Sequence, residues 1–272
     1  ENNRFTNSKK EKMIDFLFKS TISLCLLLAM YHFILEKEKM HQFNRFYLLF
    51  SLVFSILIPF YTIEIIKKIK AAPLTQLDVT GTTGTAVIQQ DNTNYLQIGL
   101  LSIYILVTTI LLIRFIHNLL QFNKKKLDNL KVKHENTTVV LVEESTLPYT
   151  FLNTIFMNKE DYKSKKIEPE LFTHELIHVN QKHTWDILFI EILKTIFWFN
   201  PVFIFYKKAI QLNHEFLADE KVVKSHNNVS YYQNLLITKA NTNPTYYLAS
   251  NLNYSVTKKR LIMMTKTTST KI

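Results

Sequence analysis

Three long apolar runs crowd the first half of the chain, and they decide what it can fold into. The first covers residues 14–35, with no Lys, Arg, Asp or Glu from Thr21 to Leu35. The second covers 46–66, and the third covers 96–120 with Arg114 near its end. Crossing a hydrocarbon core of about 30 Å takes roughly 20 residues of helix. Buried helices of a soluble core do not account for three such runs in succession, separated by polar connections. Residues 13–120 therefore read as a transmembrane region whose first partner is the lipid bilayer. Tyr47, Tyr61, Tyr95 and Tyr104 are candidates for interface or packing positions. No small-x-small cleavage signal follows the first run before Glu36, so that run reads as a span and not as a leader. The single cysteine, Cys25, lies inside it as a packing residue, which excludes an intrachain disulfide and a cysteine metal cluster.

Charge sets the orientation. The segment after the third run carries Lys124, Lys125, Lys126, Lys131 and Lys133, whereas 71–95 holds no Lys or Arg and includes Gly81 and Gly84. By the positive-inside rule the 71–95 loop lies outside and the second half of the chain lies in the cytoplasm. Lys67, Lys68 and Lys70 oppose this, as do Arg4, Lys9, Lys10 and Lys12. A start at Met13 would remove the second group. The net charge of +11 fits basic clusters meeting anionic headgroups. No recognition motif or basic–aromatic stripe supports direct nucleic-acid binding.

The second half carries the chemistry. His174-Glu175-Leu176-Ile177-His178 spells H-E-x-x-H on a helix-compatible stretch. Histidines four apart share one helix face, so both rings can reach one zinc ion, and Glu175 is placed to take a proton from water beside it. A catalytic zinc needs a third protein ligand. Downstream, Glu215 and Asp219 again stand four apart, flanked by Phe216, Leu217 and Ala218. Glu215 is the candidate third ligand for a single Zn2+. Asp219 is the candidate acceptor for the free ring N–H of a ligand histidine.

Around these motifs, residues 121–265 read as an α+β unit. Thr138 to Val142 forms a buried strand after a turn at Asn136, and 149–157 is a second extended stretch, a candidate edge for substrate strand addition. Residues 159–169 are a polar connection, and Pro169 opens the H-E-x-x-H helix. Trp185 to Tyr206 is apolar enough to suggest a fourth span. A single crossing there would separate His178 from Glu215 by roughly 30 Å. That stretch is therefore expected to bend at Pro201 and pack against the spans or lie at the interface, with the active site close to the membrane surface.

At this point a resemblance becomes specific. His174 to His178 with His183 and Asp186, then Trp198-Phe199-Asn200-Pro201, then His214-Glu215 with Asp219-Glu220, is similar to the BlaR/MecR-type membrane metallopeptidases. The entry to the second span, Asn44-Arg45-Phe46-Tyr47, resembles them too. The resemblance implies a mainly α membrane protein: three N-terminal transmembrane helices, then a gluzincin-like α+β zinc protease domain. It implies ligands at His174, His178 and Glu215, Glu175 as catalytic base, and a bacterial inner-membrane location. Members of the best-known type cleave a cytoplasmic transcriptional repressor, and often themselves. They also carry a fourth span and a penicillin-binding sensor. This sequence stops at Ile272 after a polar tail, 266–272. That tail reads either as the lead to a missing fourth span in a fragment or as the end of a shorter member whose sensor is a different protein. Ser255-x-x-Lys258 lacks companion motifs and reads as a chance match, so β-lactam sensing has no support here. His183 and His214 are nominees for oxyanion donors. Two other readings stay open: a quality-control protease of the HtpX type, and a noncatalytic signalling scaffold.

Overall fold

The structure, a computed structural model, describes residues 2–61, 95–242 and 247–266. The glycine-bearing part of the expected outside loop, the end of the second run at 62–66, and the tail beyond 266 lie outside the described residues. So do Lys67, Lys68 and Lys70.

Helix α1 (Asn2–Met30) ends in a π-helical turn (Tyr31–Leu35); α2 (His41–Leu57) runs into a 3-10 turn (Ile58–Phe60); α3 spans Tyr95–Asp128. Within them, Met13–Leu35, His41–Phe60 and Tyr95–Asp128 are long and apolar enough to cross a membrane. The buried stripe of α1 is Ser20, Leu24, Leu28, Tyr31 and Leu35, at helical spacing, and it faces α2. Small polar residues let the two backbones approach: Ser23 and Ser55 meet hydroxyl to hydroxyl at 3.1 Å, and Tyr47 donates to the Leu27 carbonyl at 2.9 Å. Cys25 corrects an expectation. It lies off that stripe and is exposed, so it does not pack in the core.

No residue of α3 is buried, so in a bilayer much of its apolar surface would meet lipid. It continues past 120 because Lys124, Lys125 and Lys126 are good helix formers. That extension delivers Phe122 to the sheet, where it stacks on Phe151 at 4.4 Å.

The sheet has strands β1 (Leu130–His134), β2 (Thr137–Val142), β3 (Tyr149–Phe151) and β4 (Thr154–Asn158) in the order β1-β2-β4-β3. β2 and β4 run parallel, and the two outer strands pair antiparallel to them. The stretch 149–157, expected as one strand, is two. Leu152 takes a left-handed turn at φ 52°, which folds β3 back on β4 and leaves β3 alone on the edge. The polar connection also holds a short helix, α4 (Lys159–Lys163), capped by Asn158, whose side chain accepts from Glu160 and Asp161.

Period-two alternation gives the sheet two apolar faces. Val139, Leu141, Ile155 and Met157 pack under Phe172, Leu176 and Val179 of α5 (Pro169–Asn180), while Val140, Val142 and Phe156 face the opposite way, toward Phe122. Helix α6 (His183–Ile196) and α7 (Val202–His226) are separated by the bend at Pro201, as expected, so the Trp185–Tyr206 stretch returns on itself. Asn200 holds the bend. Its Oδ1 accepts from Val202 N at 3.1 Å, and its Nδ2 donates to Thr21 of α1 at 3.0 Å. Tyr104 of α3 donates to the Ile196 carbonyl at 3.1 Å beside Phe199. Helices α8 (Val229–Thr242) and α9 (Tyr247–Thr265) close the domain over the second half of α7.

Phe156 is 1% exposed and touches both Tyr149 and Phe122. Phe156→Ala should cost about 3–5 kcal/mol. Thermal unfolding in detergent measures this, and a loss under about 1 kcal/mol would contradict the packing described.

Candidate metal centre

Pro169 at the first turn and Glu170 near the positive end of α5 start the helix that carries His174 and His178. One turn apart, the two rings aim their Nε2 atoms at a common point and leave them 3.1 Å apart. Glu215 reaches the same point from α7, with Oε2 3.4 Å from His174 Nε2 and Oε1 3.6 Å from His178 Nε2. The three side chains each offer a ligand atom within 4.8 Å of the others. Two ring nitrogens this close cannot both present lone pairs unless a cation lies between them. An ion 2.0–2.1 Å from each would hold two tetrahedral nitrogens roughly 3.3 Å apart, so the donor set fits a small divalent metal.

The outer nitrogen of each ring is also tied. Tyr232 donates its hydroxyl to Asp219 at 2.8 Å and meets His174 Nδ1 at 2.9 Å. With the tautomer assigned from this network, His174 Nδ1–H donates to Tyr232 and leaves Nε2 free for a cation. Asp219 thus supports His174, as its spacing suggested, mostly through an interposed tyrosine. On the other ligand, His178 Nδ1 lies 2.7 Å from His183 Nδ1, and His183 Nε2 lies 3.0 Å from Gln181 Oε1. Both ring nitrogens of His183 are therefore engaged. His214 Nε2 is held by Asp186 at 2.8 Å. These two histidines, nominated as oxyanion donors, stand in the structure on the outer side of His178.

Arg260 of α9 also belongs to the centre. Its Nε and Nη2 donate to Asp219 at 2.8 and 2.6 Å, and its Nη1 lies 2.8 Å from Glu215. Burial would raise both carboxyls, but the guanidinium outweighs it and holds Glu215 well below, and Asp219 below, the usual range. Burial likewise would depress His174, yet Asp219 and Glu215 raise it to about 9. His178, buried and beside His174, drops to about 3 and stays neutral.

Glu175 points to the sheet. Thr150 on edge strand β3 donates to its Oε2 at 2.7 Å. Burial pushes this carboxyl up, opposed by His174 and by the Thr150 hydrogen bond. The ligands and Glu175 open onto a cleft of about 1440 Å³, walled by β3, by Leu111, Phe115 and Leu119 of α3, and by Arg260. Thr150, Tyr232 and Arg260 carry no local motif, so no sequence signal marked them.

The family model described as BlaR1 peptidase M56 matches residues 12–264, most of the chain. No curated protein matches it.

The shifts fix the acid and base limits of stability in chelator-treated protein. Glu215 and Asp219 contribute fully above their ordinary values of 4.5 and 3.8, and that contribution fades as pH falls through the lowered ones. His174 contributes fully below 6.5 and loses its contribution as pH rises through about 9. Arg260→Met should destabilise by about 3–5 kcal/mol at neutral pH and flatten the acid limb, because the carboxylates lose their cation. Melting temperature across pH measures both, and a variant as stable as its parent would overturn the role of Arg260.

Proposed function

The chain belongs to the BlaR1 peptidase M56 family, and from that premise we propose that it is a membrane-embedded zinc endopeptidase. Its task is to transduce a signal by site-specific cleavage of a cytoplasmic regulator, a transcriptional repressor, and of itself. The observation that carries the enzymatic part is the convergence of His174, His178 and Glu215 beside a buried, Thr150-held Glu175. Regulator cleavage and a separate sensor protein rest on the family likeness. Placement of the domain in the bacterial cytoplasm rests on Lys124, Lys125 and Lys126 at the end of α3 and on Lys131 and Lys133 just after it.

His174, His178 and Glu215 would hold zinc, which when bound would supply Lewis-acid chemistry toward a peptide carbonyl and water. The chain's own groups do the rest. Glu175 Oε2 is fixed by Thr150, so Oε1 is the atom that takes a proton from the attacking water and delivers it to the leaving amine. Burial, which pushes the Glu175 carboxyl up, favours a group that accepts a proton and then releases it. Tyr232 and His183 hold the ligand rings, and Arg260 keeps Glu215 ionised. The substrate backbone pairs with the outer edge of β3, which sets the scissile bond next to Glu175. A closed structural site would take a fourth protein ligand. Among the described residues the group of candidate ligands has three, which favours catalysis over a noncatalytic scaffold.

Glu175→Gln should retain zinc and lower cleavage by about 10²–10⁴-fold. Comparing protein fragments in cells carrying wild type and Glu175→Gln identifies the substrate. One cleaved regulator supports the reading, while many misfolded membrane proteins would favour quality control. Stripping the metal with a chelator should abolish cleavage, and zinc should restore it. Unchanged proteolysis in either experiment would sink the assignment.

A further inference from the structure

Arg45 sits on the first turns of α2, within a segment apolar enough to cross a membrane, yet its guanidinium reaches the machinery behind the metal centre. Its Nε donates to Asp186 Oδ2 at 2.7 Å, and its Nη2 donates to Asp186 Oδ1 at 3.2 Å and to the Gln181 carbonyl at 2.9 Å. Asp186 in turn accepts from His214 Nε2 at 2.8 Å. The ring of His214 lies flat on that of His183, with centroids 4.0 Å apart and planes 4° apart. His183 meets His178. Contacts thus run unbroken from a membrane helix to a metal ligand.

We propose that Arg45 is a positioning residue for the metal centre, acting from α2 through Asp186, His214 and His183 on the ring of His178. The inference rests on His174, His178 and Glu215 being the zinc ligands. A plain ion pair fastening α2 to α6 would need only Asp186. Arg45 also grips the Gln181 carbonyl, in the turn where Lys182 adopts φ 56° and where the Gln181 side chain holds His183 Nε2. One guanidinium therefore fixes His183 from two directions: through the stacked His214 and through the turn that carries Gln181. Lysine, a single point donor, cannot reproduce the fork.

The same end of α2 also touches the other ligand helix. The His41 carbonyl accepts from Asn213 at 2.9 Å, and the His41 ring packs on Phe216 at 5.3 Å, so both neighbours of the His214-Glu215 pair are held. The seat of α2 is in this way common to both halves of the ligand set.

The test uses the full chain in detergent, as wild type, Arg45→Met, Arg45→Lys and, as a packing control, Leu48→Ala, which removes a fully buried α2 side chain. Zinc affinity is read by competition with a chromophoric chelator, geometry by the visible spectrum of the cobalt(II) form, and stability by melting of the chelator-treated protein. Arg45→Met should weaken zinc by about 10–100-fold and alter the cobalt spectrum, with a smaller loss in Arg45→Lys. Leu48→Ala should melt lower and bind zinc as wild type does. Should Arg45→Met fail to fold, Arg45→Lys decides the matter. Wild-type zinc affinity and cobalt spectrum in the folded Arg45 variants would overturn the proposal, and so would equal weakening in Leu48→Ala. A wild type that binds no zinc would overturn the metal-site reading and this inference together, whereas zinc-binding wild type with indifferent Arg45 variants overturns this inference alone.

Discussion

Glu215 and Asp219 stand one turn apart on α7 inside the protein, and without a cation between them they could not both stay ionised. Arg260 provides that cation, bonded to both. The metal centre follows from this arrangement. An ionised Glu215 can serve as a ligand, and an ionised Asp219 can polarise Tyr232 and, through it, His174. Because Arg260 arrives on α9, the centre is complete only when the last described helix has docked on α7. Lys259 and Lys266, on and just after that helix, also reach Glu36 and the Lys37 carbonyl between α1 and α2, so the same docking ties the centre to the membrane half.

Helix α7 is the member common to both halves. Its first turns, through Phe203, Tyr206, Ala209 and Ile210, share a core with α1, α2 and α6. Its later turns, through Ala218 and Val222, share another with α5, α8 and α9. The ligand-bearing turn lies between the two cores. Its buried polar groups, Asn213, His214 and Asp219, all find partners on other elements. A helix with polar residues at its middle can be buried there because each makes at least one hydrogen bond, although Asn213 Oδ1 has no partner among the described residues.

What was legible in the sequence was what repeats at short range. The spans were readable from length and composition, and the paired residues at i and i+4 marked His174, His178, Glu215 and Asp219. The return of the chain at Pro201 followed from the need to bring His178 and Glu215 together. The supporting residues were not legible, because tertiary packing brings them in. Thr150 lies 25 residues from Glu175, Arg260 lies 41 from Asp219, Tyr232 lies 58 from His174, and Arg45 lies 141 from Asp186. His183 and His214 were noticed, but spacing does not say on which side of a ligand a neighbour stands. The hairpin within 149–157 was hidden because its left-handed residue is Leu152, not a glycine.

Helix α3 walls the cleft on one side, yet no residue of it is buried. Its described protein attachments include Tyr104 at the bend after α6, Phe122 on the sheet, and Lys125 on Glu144. A helix held by so few neighbours takes its tilt from its interfacial anchors, here Tyr95 at one end and Lys124, Lys125 and Lys126 at the other. Lipid tails replace protein contacts at little cost when such a helix leans outward. The cleft therefore has one wall that few side chains fasten to the rest of the protein, whereas the wall opposite carries the ligands on packed helices.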